Sequence, residues 1–137
     1  MRLEVTRRAD LATRALVVLA RSEQRMKAAE LAERLDASPG FLSQAMTPLV
    51  ARGWVRSEPG PTGGYSAVAP LDALSVLDVI EAVEGATDVT HCVLEDRVCA
   101  GAGPCALHDA WARARSQLLR ELADTPMHAL AAAGGTP

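Results

Sequence analysis

The chain has 137 residues, of which 49% are hydrophobic and 23% are charged, and its formal net charge at pH 7 is −3. This length fits one domain, and the apolar content suffices to bury a core. No apolar run approaches the roughly 20 residues that a membrane-spanning helix needs, and the first residues do not have the form of a signal peptide. We therefore expect a cytoplasmic protein that folds alone or as a small oligomer.

Charge is divided unevenly along the chain. Residues 1–60 contain ten Lys and Arg against seven Asp and Glu, a net charge of +3, whereas the remainder contains four basic and ten acidic residues, a net charge of −6. A basic front part permits one face to contact phosphates. Ordinary variation of surface charge explains a difference of this size equally well.

The first half of the sequence predicts three helices separated by short loops. Apolar residues recur at helical spacing in the first helix: Leu11, Ala12, Ala15, Val18 and Leu19. The second helix is expected from about Lys27 to Leu35, and the third from Ser38-Pro39, where the serine can cap the helix and the proline fits its first position. Two helices joined by so short a turn have the layout of a helix-turn-helix.

Polar and small residues form a stripe on the third helix, opposite its apolar face: Gly40, Ser43, Gln44 and Thr47. Such side chains can hydrogen-bond to base edges and phosphates, although any solvated helix face also carries them. Pro48 lacks a main-chain donor and therefore predicts a kink or an early end of this helix.

A β-hairpin is predicted directly after the helix-turn-helix. Residues 54–57 and 65–68 are strand-like, and the residues between them are rich in glycine and proline. Helix, helix, helix, hairpin is the winged-helix order, with a tip that can approach a phosphate backbone or a minor groove. The predicted fold class is mainly α with a small β-hairpin wing, a winged helix-turn-helix followed by a long C-terminal helix.

Two further helices are predicted in the second half. Ser75 and Asp78 form a capping-box start to one that ends at Gly85, and the other runs from His108 to about Leu122. The second carries an apolar seam: Trp111, Ala114, Leu118 and Leu122. This seam can pack on its own domain or on a second copy of the chain, and a two-fold symmetric DNA-binding protein would use the second copy. Residues 131–137 are expected to fray.

The chain thus divides into four predicted segments. They are a winged helix-turn-helix DNA-binding domain (1–70), a connecting helix (71–87), a cysteine loop (88–107), and a dimerisation helix with a C-terminal tail (108–137).

All three cysteines of the chain lie in the predicted cysteine loop, as Cys92, Cys99 and Cys105, and His108 follows three residues later. The intervening residues are polar and then rich in Gly, Ala and Pro, as in a loop that folds around a bound group. In a reducing compartment this spacing favours a metal over a disulfide. Zinc accepts Cys and His ligands, but its usual paired Cys-x-x-Cys spacing is missing. A cluster-free thiol switch is the other alternative.

The order of winged helix, capped helix, three-cysteine loop and long helix resembles the Rrf2 family of bacterial transcription regulators, which includes the iron-sulfur-cluster regulator IscR and the nitric-oxide sensor NsrR. The resemblance covers nearly the whole chain. It rests jointly on the following residues: Met1-Arg2-Leu3, Ser38-Pro39 with Phe41-Leu42, the wing from Gly60 to Tyr65, and Cys92, Cys99 and Cys105.

This resemblance implies a homodimeric regulator, expected to be a repressor, that binds double-stranded promoter DNA and senses nitric oxide, redox state or iron-sulfur status. The implied DNA contacts lie in the third helix and the wing: Ser38, Pro39, Gly40, Phe41, Ser43, Gln44, Thr47, Arg56, Gly60, Thr62, Gly63, Gly64 and Tyr65. Many family members carry an arginine just before the wing's Gly-Pro, where this chain has Pro59. A minor-groove contact of that kind would fall to Arg56 or be absent.

The resemblance also implies that the three cysteines are thiolate ligands of a 2Fe-2S or 4Fe-4S cluster. The step from Cys105 to His108 is similar to the IscR arrangement, in which the histidine completes a 2Fe-2S site. In NsrR-like members a carboxylate from the first helix of the other subunit can complete a 4Fe-4S site, and Asp10 stands at that place. His91 is a weaker candidate ligand, and His128 is expected to be structural. The first gap between cysteines is six residues where the family usually has five.

Other classes of function remain as alternatives. The runner-up is a zinc-binding or cluster-free thiol-switch winged-helix regulator, or a protein-interaction module whose winged helix contacts protein. An enzyme is not expected, because the sequence contains no Ser/His/Asp set, phosphate loop or Cys-x-x-Cys pair.

Overall fold

The computed structural model describes residues 1–99 and 103–133, and its core is organised around helix α1 (Arg7–Arg21). The hydroxyl of Thr6 caps this helix by accepting from the N–H of Ala9 at 3.2 Å. Its buried residues include those predicted from the periodicity: Ala9, Leu11, Ala12, Ala15, Leu16, Val17, Val18 and Leu19. Burial on so many sides follows because helices from both halves of the chain pack against α1.

Helices α2 (Ala28–Arg34) and α3 (Pro39–Ala51) form the predicted helix-turn-helix. The predicted cap of α3 is confirmed, since the hydroxyl of Ser38 accepts from the N–H of Phe41 at 3.2 Å. Of the two outcomes predicted at Pro48, a kink or an early end, the early end is wrong, because α3 continues to Ala51. Leu49 is fully buried, and its packing opposes the roughly 3 kcal/mol that a proline costs inside a helix.

The wing consists of β1 (Val55–Glu58) and β2 (Gly64–Ala67), which pair antiparallel with Val55 opposite Ala67. The main chain of Tyr65 also exchanges two hydrogen bonds with Met26, at 2.8 and 2.9 Å, so the wing is joined to the loop before α2. Gly64 has φ of 141°, and a Cβ there would overlap the carbonyl of Met26. Glycine is therefore required where the wing meets that loop.

Helix α4 (Val76–Glu84) begins with the predicted capping box. The N–H of Asp78 donates to the hydroxyl of Ser75 at 3.0 Å, and the N–H of Ser75 donates to the Asp78 carboxylate at 2.9 Å. The helix ends at Gly85, whose φ is 89°. Because Val79 is fully buried and α4 packs against α1 and α3, this helix is part of the winged-helix core as well as a connection.

The C-terminal part consists of α5 (His108–Asp124) and α6 (Met127–Ala132). Residues 131 and 132 were expected to fray but belong to α6; residues 134–137 lie outside the described residues. Helix α6 is anchored by Met127, which is fully buried and whose N–H donates to the carbonyl of Leu74 at 2.7 Å. None of the helices in the described part of the chain combines the length and the apolar character needed to cross a lipid bilayer.

Candidate metal centre and nucleic-acid interface

The three thiols converge in space. The Sγ atoms of Cys92, Cys99 and Cys105 all lie within 4.8 Å of one another. Cys92 and Cys99 are buried and Cys105 is half-buried, and all three are free thiols. None of them belongs to the hydrophobic core around α1. The fold of the loop thus brings three thiols, which are 13 residues apart in sequence at most, into one candidate ligand set.

The main chain of the loop explains this convergence. The N–H of Cys92 donates to the carbonyl of Arg97 at 2.7 Å, and the N–H of Cys99 donates to the carbonyl of Thr90 at 3.1 Å. These bonds fold residues 90–99 into a short antiparallel turn, which places Cys92 beside Cys99. The N–H of His108 donates to the carbonyl of Cys105 at 3.1 Å, which ties the third cysteine to the start of α5.

An aspartate turn holds the entry to the loop. The Oδ1 atom of Asp88 accepts from the N–H and the hydroxyl of Thr90, both at 2.8 Å, and from the N–H of His91 at 3.2 Å. These bonds, led by the one from the Thr90 N–H, hold the pKa of Asp88 below its usual range. The carboxylate form is thus the one that the turn stabilises.

The thiols differ in acidity. The N–H of Leu94 donates to the Sγ of Cys92 at 3.4 Å. This bond is the largest cause that lowers the pKa of Cys92 to about 7, against the opposing effect of burial. For Cys99 the N–H of Cys105 acts in the lowering direction, but burial and the neighbouring thiols outweigh it and raise the pKa. Cys92 is therefore the first of the two to form a thiolate, the form that binds metals.

The donor set fits a thiolate-bound metal group. A tetrahedral ion with metal–sulfur bonds of about 2.3 Å separates two ligand sulfurs by about 3.8 Å, which lies inside the 4.8 Å limit of the thiol group. Thiolates are the ligands of iron-sulfur clusters and of structural zinc. The spacing thus fits thiolates on a single metal ion, and the same three residues would supply three of the four ligands of an iron-sulfur cluster.

The candidate fourth ligands lie in different parts of the chain. His91 and His108 line the same cavity as Cys99 and Cys105, a space of about 10 Å³, which is room for one water molecule. Among the described residues, however, only the thiols fall within the 4.8 Å group. Asp10 is exposed on α1, where its carboxylate accepts from Arg14 at 3.1 Å. The predicted fourth ligand, from the same protomer or from a partner, remains a prediction.

The polar stripe of α3 faces solvent. Gly40, Ser43, Gln44 and Thr47 are all exposed. The Thr47 hydroxyl donates to the carbonyl of Ser43 at 2.8 Å. Ser38 and Pro39 are also exposed, whereas Phe41 is half-buried and packs against the core. The exposed amide of Gln44 offers both a hydrogen-bond donor and an acceptor on this face.

The predicted wing residues fall into two groups. Arg56, Gly60 and Thr62 are exposed, whereas Gly63 is buried and Gly64 and Tyr65 are half-buried. The first group can reach a ligand outside the protein, and the second shapes the wing.

At the base of the wing the guanidinium of Arg25 is paired with the carboxylate of Glu58. Sequence reasoning missed this pair, because its members lie 33 residues apart.

Two arginines near the thiols were also missed. Arg97 lies inside the cysteine loop, and Arg115 on α5 donates to the carbonyl of Val89 at 3.2 Å. A basic residue within a cysteine-rich loop was the only available signal.

Helix α5 itself has no buried residue, and along its predicted seam Trp111 and Leu122 are half-buried while Ala114 and Leu118 are exposed. The seam therefore retains apolar surface for a further contact.

Comparison with known proteins gives a consistent result. Residues 5–133 match the Rrf2 family model, described as an iron-dependent transcriptional regulator. A protein of Neisseria meningitidis serogroup A named as an HTH-type transcriptional regulator is 32% identical over 111 residues, which are 80% of this chain and 74% of that protein. The HTH-type transcriptional regulator IscR of Erwinia tasmaniensis is 36% identical over 83 residues, which are 61% of this chain and 50% of IscR.

Solved structures share the fold. CymR, described as the global cysteine regulator of B. subtilis, superposes with a TM-score of 0.73 at 26% identity, covering 96% of this chain and 98% of CymR. IscR of T. potens superposes with a TM-score of 0.67 at 22% identity, covering 92% of this chain and 84% of that one. These neighbours are regulators, in agreement with the expectation that the chain is not an enzyme.

Proposed function

Because the chain belongs to the Rrf2 family of DNA-binding transcription regulators, we propose that it is a homodimeric repressor whose DNA affinity depends on an iron-sulfur cluster. The observation that carries this proposal is the convergence of Cys92, Cys99 and Cys105 within 4.8 Å. In this proposal residues 1–70 bind DNA, residues 88–107 hold the cluster, and residues 108–137 contain the dimerisation helix. When bound, the cluster would supply iron that reacts with oxidants or nitric oxide.

On DNA, α3 would lie in the major groove with its exposed stripe toward the bases, and the wing would reach the neighbouring backbone or minor groove. Exposure supports this assignment for Gln44 on the helix and for Arg56, Gly60 and Thr62 on the wing. Phe41 and Tyr65 would support these elements from below, since both pack against the core.

A second copy of the chain would cover the seam of α5. Leu118 is 48% exposed in the middle of this helix, and a helix with no fully buried residue in its own domain gains from an apolar partner. The partner's α1, which carries Asp10, would then be available to supply a ligand. The fourth ligand is then either His108 of the same protomer or Asp10 of the partner subunit, and these two assignments imply 2Fe-2S and 4Fe-4S clusters respectively.

Arginine hydrogen bonds hold the helices that flank the cysteine loop, which supports a switching role. Before the loop, the guanidinium of Arg8 on α1 donates to the carbonyl of Val83 at the end of α4, at 2.7 Å. After it, Arg115 links α5 to Val89 at 3.2 Å. A loop that changes shape when its thiolates lose their ligand would shift α5 relative to α4. Coupling of this kind is typically worth about 1–3 kcal/mol, a roughly 5- to 150-fold change in affinity.

The proposal is tested by anaerobic purification, with iron and sulfide counts and a visible spectrum, followed by footprinting on DNA upstream of the protein's own gene with and without the cluster. We expect a coloured protein and a salt-sensitive, two-fold symmetric footprint that changes on cluster loss. A colourless, zinc-loaded protein, or a footprint indifferent to the cluster, would contradict it. His108→Ala and Asp10→Ala should separate the two fourth ligands by their spectra, with His128→Ala, an exposed histidine on α6, as the matched control.

A cluster-free thiol switch is the second candidate, and the low pKa of Cys92, about 7, beside two other thiols favours it. Hydrogen peroxide would oxidise two of these thiols to a disulfide, with loss of their two protons and release of two water molecules. In this case iron-free protein would change its DNA affinity on peroxide treatment and recover on reduction. An unchanged affinity would exclude this mechanism.

A further inference from the structure

Arg97 joins the two halves of the cysteine loop through its side chain. Its Nη1 atom donates to the carbonyl of Gly103 at 3.2 Å and lies 3.5 Å from the carbonyls of Val98 and Cys99. Gly103 is two residues before Cys105, whereas Cys99 ends the first half of the loop. The guanidinium thus links the main chain of the second cysteine to the main chain two residues before the third.

The orientation of this guanidinium is set on its other side. Its Nε atom donates to the carboxylate of Glu95 at 2.6 Å, and the side chain is only 27% exposed. The main-chain carbonyl of Arg97 accepts from the N–H of Cys92 at 2.7 Å. Arg97 therefore has main-chain or side-chain contacts near all three cysteines, a role that a planar fork of donors can fill and a lysine ammonium cannot.

The charge of Arg97 also faces a group of acids. Its guanidinium is paired with the Glu95 carboxylate and lies in the same short loop as the thiols of Cys92 and Cys99. Each thiolate adds a negative charge to a small volume, and any metal-sulfur group becomes more negative on reduction. A fixed cation at this place opposes the accumulated charge.

We propose that Arg97 is a positioning residue that holds the three thiolates at ligand spacing and stabilises negative charge on the group they bind. The proposal deepens the proposed function and rests on it for the identity of that group. The contacts in the loop carry it: one guanidinium reaches the carbonyls of Cys99 and Gly103, while its own main chain accepts from Cys92.

The first test uses cobalt(II) as a probe on reduced, iron-free, full-length protein, because thiolate binding of cobalt can be titrated by absorption without any cluster. Arg97→Gln and Arg97→Lys are compared with Arg34→Gln, an exposed α2 arginine that also pairs with a glutamate. We expect Arg97→Gln to weaken binding by roughly 10- to 100-fold, as for other outer-shell partners of metal ligands. Arg97→Lys should fall in between, and Arg34→Gln should bind like the parent.

The second test uses the anaerobically assembled protein and measures the midpoint potential of the cluster and its rate of loss to a chelator. The potential should shift to more negative values in Arg97→Gln and stay near the parent in Arg97→Lys, because the lysine retains the charge. Equal cobalt affinities and equal potentials in the Arg97 and Arg34 variants would overturn the proposal.

Folding is checked by thermal unfolding monitored with circular dichroism, and a variant that does not fold is replaced by Glu95→Gln, which leaves the arginine unoriented and should weaken cobalt binding in the same direction. Unchanged binding in that folded variant counts against the proposal. A parent protein that binds cobalt but assembles no cluster would contradict the proposed function alone, since the comparison of cobalt affinities would still decide the role of Arg97.

Discussion

The N–H of Cys99 donates to the carbonyl of Thr90 at 3.1 Å, so the position of the second cysteine depends on the turn that begins the loop. Asp88 holds that turn through both polar hydrogens of Thr90, at 2.8 Å. Thr90 therefore connects the exposed carboxylate of Asp88 to the main chain of the buried Cys99.

We expect Asp88→Ala to weaken cobalt binding by iron-free protein roughly 10-fold, the lower end of the effect of removing an outer-shell partner of a metal ligand. Asp72→Ala, an exposed aspartate remote from the loop, serves as the control. Because the pKa of Asp88 is lowered, the turn should be intact above the ordinary aspartate range and be lost only as pH falls through the lowered value. Amide exchange of Thr90 and His91 across acid pH checks this, and a turn that opens already near neutral pH would be inconsistent with it.

Thiol reactivity gives a second prediction. Cys92, with a pKa of about 7, should be alkylated in iron-free protein with a rate that rises through pH 7 and levels above it. Cys99 should follow only above the ordinary thiol range, because its pKa is raised. Mass spectrometry of peptides after brief iodoacetamide exposure at graded pH measures both. Identical profiles for the two cysteines would show that the loop does not distinguish them.

The seam of α5 gives a third prediction. Leu118→Asp places a charge in the centre of the proposed dimer contact, and we expect the protein to become monomeric while remaining folded, since Leu118 is 48% exposed in the single chain. Ser116→Asp, on another face of the same helix, should stay dimeric. Size-exclusion chromatography with light scattering distinguishes the two. A dimer that survives Leu118→Asp would place the interface elsewhere.

The recognition helix gives a fourth prediction. Gln44→Ala removes an exposed amide from the α3 stripe and should weaken binding to the specific site by about 1–3 kcal/mol while leaving non-specific binding nearly unchanged. Gln117→Ala, on α5, should leave both unchanged. Titrations with specific and scrambled duplexes at the same salt concentration measure the difference. Equal losses on both duplexes would mean that Gln44 does not read sequence.

Stability gives a fifth prediction, at the base of the wing. Gly64→Ala forces a Cβ into the main chain of Met26 at a φ of 141°, and we expect it to lower the free energy of unfolding by about 1–3 kcal/mol. A Cβ on Gly40 meets nothing within 4 Å, so Gly40→Ala in α3 should be neutral or stabilising by up to about 1 kcal/mol. Urea unfolding followed by circular dichroism compares them, and equal effects would refute the close approach.

Local features of the sequence predicted much of the fold. The periodicity of α1, the Ser38-Pro39 cap of α3 and the capping box of Ser75 and Asp78 all depend on residues within a turn or two of each other, and all are confirmed. Helix α6 was missed for the opposite reason. Its anchor is Met127, whose burial and hydrogen bond to Leu74 depend on contacts 53 residues apart, with no local signal.

The sequence by itself determined the winged-helix order, the family resemblance and the identity of the three candidate thiolate ligands, because helix caps, periodicity and cysteine spacing are written in neighbouring residues. Only the tertiary structure decided that the thiols meet within 4.8 Å, that Arg97 and Asp88 shape their loop, and which wing residues face outward. Those relationships arise from main-chain bonds and burial between distant segments, which a linear pattern does not encode.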